Sequence, residues 1–288
     1  YWRPIVLTSD QRSPDAFPLA GGAFWFDEVE HLRRNHPPER LPASAMQADK
    51  RALLTTPRGP ILGLSMAQPR LMGILNVTPD SFSDGGTHHG GLQAITGAKN
   101  LIGEGADIID IGGESTRPGA DMVPNSVEIG RTVPVIKALM GTGALTPLSI
   151  DTRKAEVAEA ALYAGAGMFN DVSAMTHDPS STQLAARAGC DICLMHAGGD
   201  PKTMQQDPRY DDVLLDVYDY LESRIAAAEL AGVKRARIVV DPGIGFGKTL
   251  EHNLALLRGI ALFHSLGCPV LLGASRKRFI GQIAGVDA

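Results

Sequence analysis

From residue 71 the chain alternates short apolar runs with alanine-rich stretches whose apolar positions recur at the spacing of a helix face. The apolar runs at 71–76, 107–112, 147–150, 167–171, 191–196, 237–241 and 269–274 have strand length and read as strands. Between them, 91–104, 126–140, 153–164, 180–188, 211–231 and 252–266 read as helices, several opened by capping residues such as Asp151-Thr152 and Asp178-Pro179. Strict alternation of strand and helix is the pattern of a parallel sheet, because a parallel neighbour is reached only through a crossover. Residues 1–70 differ. They hold nine of the 19 prolines and no long periodic segment, and read as an irregular N-terminal extension in which 23–32 forms a short strand or helix.

Seven strand–helix units suit either a doubly wound sheet or a barrel. The polar residues separate the two. Asn76, Asp110, Asp151, Asn170-Asp171, His196, Asp241 and Ser275-Arg276-Lys277 lie at or near the ends of successive apolar runs. A doubly wound sheet gathers its functional groups at one switch point, whereas a barrel brings the carboxyl ends of all its strands to one mouth. The even spread favours an α/β TIM (β/α)8 barrel over residues 71–288. Only seven strands are accounted for by Ala288, so the eighth is expected to be missing from this chain.

Composition narrows the chemistry. With 44% hydrophobic and 20% charged residues over 288 positions, the chain can build a sizeable core. A net charge of -5 gives no electrostatic footprint for nucleic acid, so any bound anion must be met by a local cluster. There is no run of 18 apolar residues and no basic-then-apolar leader, and the three cysteines are few for a secreted scaffold. A cytoplasmic location is therefore expected.

Two motifs invite over-reading. Asp241-Pro-Gly-Ile-Gly-Phe-Gly-Lys-Thr249 ends like a nucleotide P-loop, but Pro242 stands where that loop needs glycine and has no N–H to give a phosphate. The better reading is a tight glycine-shaped loop presenting Asp241 and Phe246. Cys190 and Cys193 have the spacing of a metal pair, yet on a strand residues three apart face opposite sides, so both read as core. Asp110 sits inside an apolar run and must be paired by a neighbouring strand if it is buried.

The remaining strand-end residues form a complementary set. Asp151 and Asp241 accept hydrogen bonds when ionised, Asn170 donates and accepts, and Lys277 only donates. Such a set suits a planar heterocycle whose edge alternates donors and acceptors. Asn76, Thr116 and Arg117 could face an oxyanion or a metal-bound phosphate, for which arginine is well shaped.

In order along the chain, Ile74-Leu-Asn-Val-Thr-Pro-Asp-Ser-Phe-Ser-Asp-Gly-Gly86, Ile111-Gly-Gly-Glu-Ser-Thr-Arg-Pro-Gly119, Ser149-Ile-Asp-Thr152, Asn170-Asp171, Leu194-Met-His196, Asp241-Pro-Gly-Ile-Gly-Phe-Gly-Lys248 and Gly273-Ala-Ser-Arg-Lys277 resemble the dihydropteroate synthase family. The resemblance implies a folate-pathway transferase that joins 6-hydroxymethyl-7,8-dihydropterin diphosphate to 4-aminobenzoate, uses magnesium (Mg2+), forms a homodimer and is competed by sulfonamides. By the same resemblance Asp151, Asn170, Met195, Asp241 and Lys277 hold the pterin. Asn76 sits by the magnesium diphosphate, Asp84 balances a cationic intermediate, and Arg117 meets the leaving group. Thr116, Pro118, Phe246, Ser275 and Arg276 complete the aminobenzoate and diphosphate pocket, with loops 78–90 and 114–126 closing over it. The missing eighth strand would carry an arginine and a histidine for the diphosphate. Two rivals share the fold: a pterin-binding methyltransferase domain, and a non-catalytic pterin-binding relative. The loop motif from Asn76 to Gly86 and Ser275-Arg276-Lys277 argue against the first, and intact Asn76, Arg117 and Lys277 against the second.

Overall fold

A computed structural model of the chain describes residues 1–8, 12–78, 86–115, 122–143, 145–199 and 208–285. The N-terminal segment is not irregular. Strands β1 (Trp2–Pro4), β4 (Glu28–His31) and β5 (Glu39–Pro42) form an antiparallel sheet, and β2 (Phe17–Pro18) pairs with β3 (Trp25–Phe26). With helix α1 (Ala48–Thr55) they enclose a small core of Leu19, Phe26, Val29, Met46 and Leu54. These strands are two to four residues long and interrupted by proline, which is why no period shows in the sequence.

The segment is fastened to the rest of the chain at several points. Arg34 forms ion pairs with Asp216 and Asp219, and the Tyr1 hydroxyl donates to Asp219 at 2.8 Å. Arg58 donates to the Leu53 and His264 carbonyls, joining two helix ends. Ile61, with 2% of its surface exposed, packs with Met168, Cys193 and Val239 against the amino ends of the parallel strands. There the Asp191 carboxylate accepts the Leu62 N–H at 2.6 Å.

The second half is α/β. Strands β6 (Met72–Asn76), β7 (Ile108–Gly112), β8 (Leu148–Asp151), β9 (Met168–Asp171), β10 (Asp191–Met195) and β11 (Ile238–Asp241) form one parallel sheet in which spatial order equals chain order. Helices α2 (Gly86–Gly103), α3 (Asn125–Gly141), α4 (Ala155–Ala164), α5 (Ser181–Ala188), α6 (Val213–Leu230) and α7 (Leu250–Arg258) connect and follow them, and α8 (Arg278–Ala284) comes last. An order that never reverses has no switch point, which argues against the doubly wound alternative and is the strand order of a TIM barrel. The described strands do not close on themselves. Residues 269–274 form no strand; Val270 makes a single parallel bridge to Val240, and the backbone then leaves the sheet.

Outward side chains such as Leu75, Ile111, Ile150, Phe169, Ile192 and Val240 pack under the helices. Each fully buried side chain of this size contributes about 1.5–3 kcal/mol. Alternation then sends Asn76, Asp110, Asp151, Asn170 and Asp241 to the opposite, concave face. Helix boundaries differ from expectation at two places. Helix α2 begins at Gly86, so the loop expected over 78–90 is shorter; 252–266 divides at Gly259 into α7 and a 3-10 helix, Ile260–Leu266. Thr249 caps α7, accepting the His252 N–H in a reciprocal capping box. Among the described residues no helix is long and apolar enough to cross a membrane.

Candidate active site at the carboxyl ends of the strands

The concave face becomes polar at its carboxyl end because β6 to β9 end inward on Asn76, Gly112, Asp151 and Asn170, and β11 on Asp241. Gly112 opposes Asn76 on one side and Asp151 on the other, and a β-carbon placed there would lie 3.5 Å from both Asn76 Oδ1 and Asp151 Oδ2. The missing side chain therefore opens a hollow between these two groups. Asn170 lies opposite Asp151 in register, and Met195 opposite Asp241. Asp110, one step deeper, accepts a hydrogen bond from Asn170 Nδ2 at 2.9 Å. That bond spans β8 and links alternate strands rather than neighbours, so the sheet is strongly curved here.

Lys277 completes the set from the opposite wall. It precedes α8, and its ammonium lies 4.1 Å from the centre of the Phe246 ring. Gly245, at φ +83°, leaves the room through which the lysine stem passes: a β-carbon there would sit 3.1 Å from Lys277 Cδ. Ser275 and Arg276 form the exposed turn before Lys277, with Arg276 at φ 55°. Asp84, Thr116, Arg117 and Pro118 lie outside the described residues.

Burial dominates the electrostatics. The Asp151 carboxyl is driven well above the ordinary carboxylate range by burial and then by the charge of Asp110, and Asp110 itself is raised by burial. Asp241 is pushed up to about 6 by burial, against the pull of the Gly243 N–H and the Lys277 and Lys248 cations. Burial lowers Lys277, while Asp241 and Asp151 act in the opposite direction. Among the described residues, Asp110 Oδ1 and Asp151 Oδ1 are buried with no hydrogen-bond partner. An unsatisfied buried carboxylate oxygen is costly, so these two atoms mark where a ligand with N–H donors would gain most.

The loop after β11 is held by a residue the sequence reading did not select. Lys248 is 4% exposed, and its ammonium lies 3.0 Å from His196 Nδ1 while donating to the Phe246 carbonyl at 2.9 Å and the His196 carbonyl at 3.3 Å. Burial lowers it to about 7, and burial with the Lys248 charge lowers His196 to about 3. The lysine is thus turned inward as a tie between β10 and the loop, not outward as in a P-loop. The one sequence signal for it was its place in the glycine loop. Cys190 and Cys193 fall in separate hydrophobic clusters, as their spacing on a strand requires.

A family model described as pterin binding enzyme matches residues 72–288. The chain belongs to this family. It is 46% identical over 223 residues to dihydropteroate synthase of Escherichia coli strain K12, a match covering 77% of this chain and 78% of that protein. The structure of Xanthomonas albilineans dihydropteroate synthase with 4-aminobenzoic acid aligns with a TM-score of 0.74 at 47% identity, covering 81% of this chain and 83% of the other. The Yersinia pestis dihydropteroate synthase solved with a sulfonamide drug aligns with a TM-score of 0.74 at 43% identity, covering 80% and 84%. In this pterin binding enzyme, the hollow above Gly112 and the groups converging on it occupy the carboxyl ends of the strands, where barrel enzymes keep their chemistry.

Proposed function

We propose that the protein is a dihydropteroate synthase, joining 6-hydroxymethyl-7,8-dihydropterin diphosphate to 4-aminobenzoate with release of diphosphate in folate biosynthesis. The observation that carries the reading is the convergence of Asp151, Asn170, Asp241 and Lys277 on one polar hollow in a chain 46% identical to such an enzyme. A pterin presents N–H donors beside ring-nitrogen and carbonyl acceptors, which is the complement of two carboxylates, an amide and an ammonium. In this reading Asp151 and Asp241 take the ring N–H groups, and Lys277 donates to a ring acceptor. Asn170 is fixed by Asp110, which consumes one of its donors and leaves its oxygen free to face the ring. Met195 packs against the ring plane.

The diphosphate end lies toward β6. Asn76 offers one amide oxygen there, and among the described residues no group of three or more His, Cys, Asp or Glu side chains could cage a metal ion. That donor set fits a magnesium carried with the substrate, since Mg2+ keeps several waters and takes few protein oxygens beside phosphates. When bound, the ion neutralises charge on the departing diphosphate.

The chain's own residues would serve a dissociative course. The bond between the pterin methylene carbon and the diphosphate oxygen breaks with its electron pair leaving on oxygen, and the nitrogen of 4-aminobenzoate then forms the new bond to carbon. The amine loses its proton after attack, so no strong base is required. Carboxylates at Asp151, Asp241 and Asp84 favour the cationic carbon, and Arg117 stabilises the leaving group. Thr116, Pro118, Phe246, Ser275 and Arg276 shape the aminobenzoate side. The reading includes a homodimer acting in the cytoplasm and sulfonamide competition for the aminobenzoate site, supported by the family resemblance. Incubating the protein with the pterin diphosphate, 4-aminobenzoate and magnesium tests it: diphosphate and dihydropteroate should form in equal amounts, and no diphosphate release overturns it.

A further inference from the structure

The wall beside Lys277 is the loop 242–249, which includes three glycines, all at positive φ. With so few side chains of its own to pack, the loop takes its shape from hydrogen bonds made to its backbone. Those bonds come from β11, from α7 and from the approach to α6. Asp241 Oδ1 accepts the Gly243 N–H at 2.7 Å. Asn253, on α7 and 4% exposed, accepts the Gly245 N–H through Oδ1 at 2.7 Å and donates from Nδ2 to the Thr249 carbonyl at 2.7 Å. Both ends of this amide are used, and only one orientation of it satisfies both partners. Tyr210, ahead of α6, donates its hydroxyl to the Gly247 carbonyl at 2.8 Å, and its ring meets His252 edge-on with centroids 4.9 Å apart. Gly247 in turn backs on Gly198: a β-carbon on Gly247 would lie 2.6 Å from Gly198 Cα, so the loop has no room to move in that direction.

Lys277 rests on this loop instead of being tied by bonds of its own. Among the described residues no hydrogen bond or ion pair holds its ammonium, and Asp241 and Asp151 act on it only through their charge. Its stem passes over Gly245, and its ammonium stands 4.1 Å from the centre of the Phe246 ring. Gly245 and Phe246 are therefore the bed of the lysine, and Asn253 is the side chain that fixes Gly245. Contacts of this kind fall off steeply with distance, so a loop that drifts leaves the cation without its support. A displacement of about 1 Å in a positioned group can cost on the order of 100-fold in what that group does.

We propose that Asn253 is a positioning residue for Lys277: through its bond to the Gly245 N–H it holds the bed of Gly245 and Phe246 that sets where the lysine ammonium meets the pterin. Tyr210, bonded to the same loop two residues further on, is a second and weaker tie. This rests on the pterin contact assigned to Lys277 above. A tie that only stabilises the fold changes binding equally, or not at all, whether or not the lysine is present. A tie that acts through Lys277 loses its effect on binding once the lysine is gone.

The test is a double-mutant cycle in the full chain between Lys277→Met and Asn253→Leu, which keeps the size of the side chain and removes both of its bonds. Calorimetric affinity for 6-hydroxymethylpterin should fall about tenfold in Asn253→Leu, yet change by less than about twofold when the same substitution is added to Lys277→Met. Equal losses in the two backgrounds, or no loss in a folded Asn253→Leu, overturn the proposal. Tyr210→Phe removes a single hydroxyl and should weaken binding about threefold with the lysine present and leave it unchanged without it. Should Asn253→Leu fail to fold, Tyr210→Phe decides by the same criteria. Acetylation of Lys277 by acetic anhydride, followed by mass spectrometry, reads the lysine without any ligand. Its rate should rise about threefold or more in the folded Asn253→Leu or Tyr210→Phe variant, while that of the exposed Lys234 stays constant; an unchanged Lys277 rate overturns the proposal. Wild-type protein that binds no pterin would defeat the functional reading instead, and the acetylation rates would still judge the placement of the lysine.

Discussion

Lys248→Met should flatten the pH dependence of stability between about pH 7 and the 10.5 of an unperturbed lysine. Burial lowers the folded-state value to about 7, so in this window the unfolded chain holds a proton that the folded chain does not. Stability then rises with pH, by about 1.4 kcal/mol per unit for one proton. Below the folded value both states are protonated and the dependence ceases. Between pH 7 and pH 9 the wild type should gain about 2–3 kcal/mol relative to the variant, a large share of a total of roughly 5–15 kcal/mol. The absolute difference at pH 7 is less informative, because two comparable effects oppose each other there. The substitution relieves a buried cation, but it leaves His196 Nδ1 and the carbonyls of His196 and Phe246 without their shared donor, at about 1–3 kcal/mol per unsatisfied acceptor. Urea unfolding followed by circular dichroism at several pH values measures the slope directly. A wild-type-minus-variant difference that stays constant from pH 7 to pH 9 would refute the assignment of Lys248 as a buried, depressed lysine.

Three further outcomes are expected. Lys277→Ala should weaken pterin binding by about tenfold to a hundredfold, the order for a charge-assisted hydrogen bond lost in a buried site, while Arg117→Ala should chiefly lower kcat; calorimetry and steady-state kinetics separate them. Gly243→Ala should abolish stable folding or cost more than about 3 kcal/mol, since at φ +68° its β-carbon would lie 1.9 Å from the His196 carbonyl oxygen; a soluble variant with unchanged melting would contradict this. Ile61→Ala, at the amino ends of the strands, should cost about 2–5 kcal/mol yet leave 25 °C turnover near wild type, because it lies at the end of the sheet remote from Asp151 and Asp241. A large loss of turnover in the folded variant would show that the N-terminal segment reaches the site.

Sequence pattern revealed the parts of the fold that repeat. Six of the seven expected strands appear within about two residues of their predicted bounds, because each is buried between helices and a hollow and so carries a long apolar signature. The seventh, 269–274, has the same signature but makes one bridge: its apolar Val270 and Leu271 still pack inward, which composition reports, while ladder pairing, which composition does not report, stops. Residues 1–70 show no legible pattern for the opposite reason. Strands of two to four residues cannot display a period, and their pairing depends on long-range partners such as Leu32 and Tyr1.

The site divides in the same way. Asp151, Asn170, Asp241 and Lys277 were legible because a polar group ending an apolar run has no structural reason to be there. Two residues behind them were not, since Lys154 and Lys248 lie at a helix start and in a loop, where polar residues are ordinary. Their significance appears only once burial is known. A lysine with 4–5% exposure must be compensated: Lys154 by Glu114, Glu128 and the Val123 carbonyl, Lys248 by His196 Nδ1 and the carbonyls of His196 and Phe246. The protein thus spends a buried lysine at each of two places to tie a loop to its neighbours. A buried cation is a costly tie compared with an apolar contact of similar size. Its return is directional, because an ammonium with three acceptors at fixed angles defines a loop's position where a methyl group would define only its distance from the core. Replacing Lys248 by methionine should therefore leave the barrel standing while loosening the loop that carries Phe246, the proposed aminobenzoate contact.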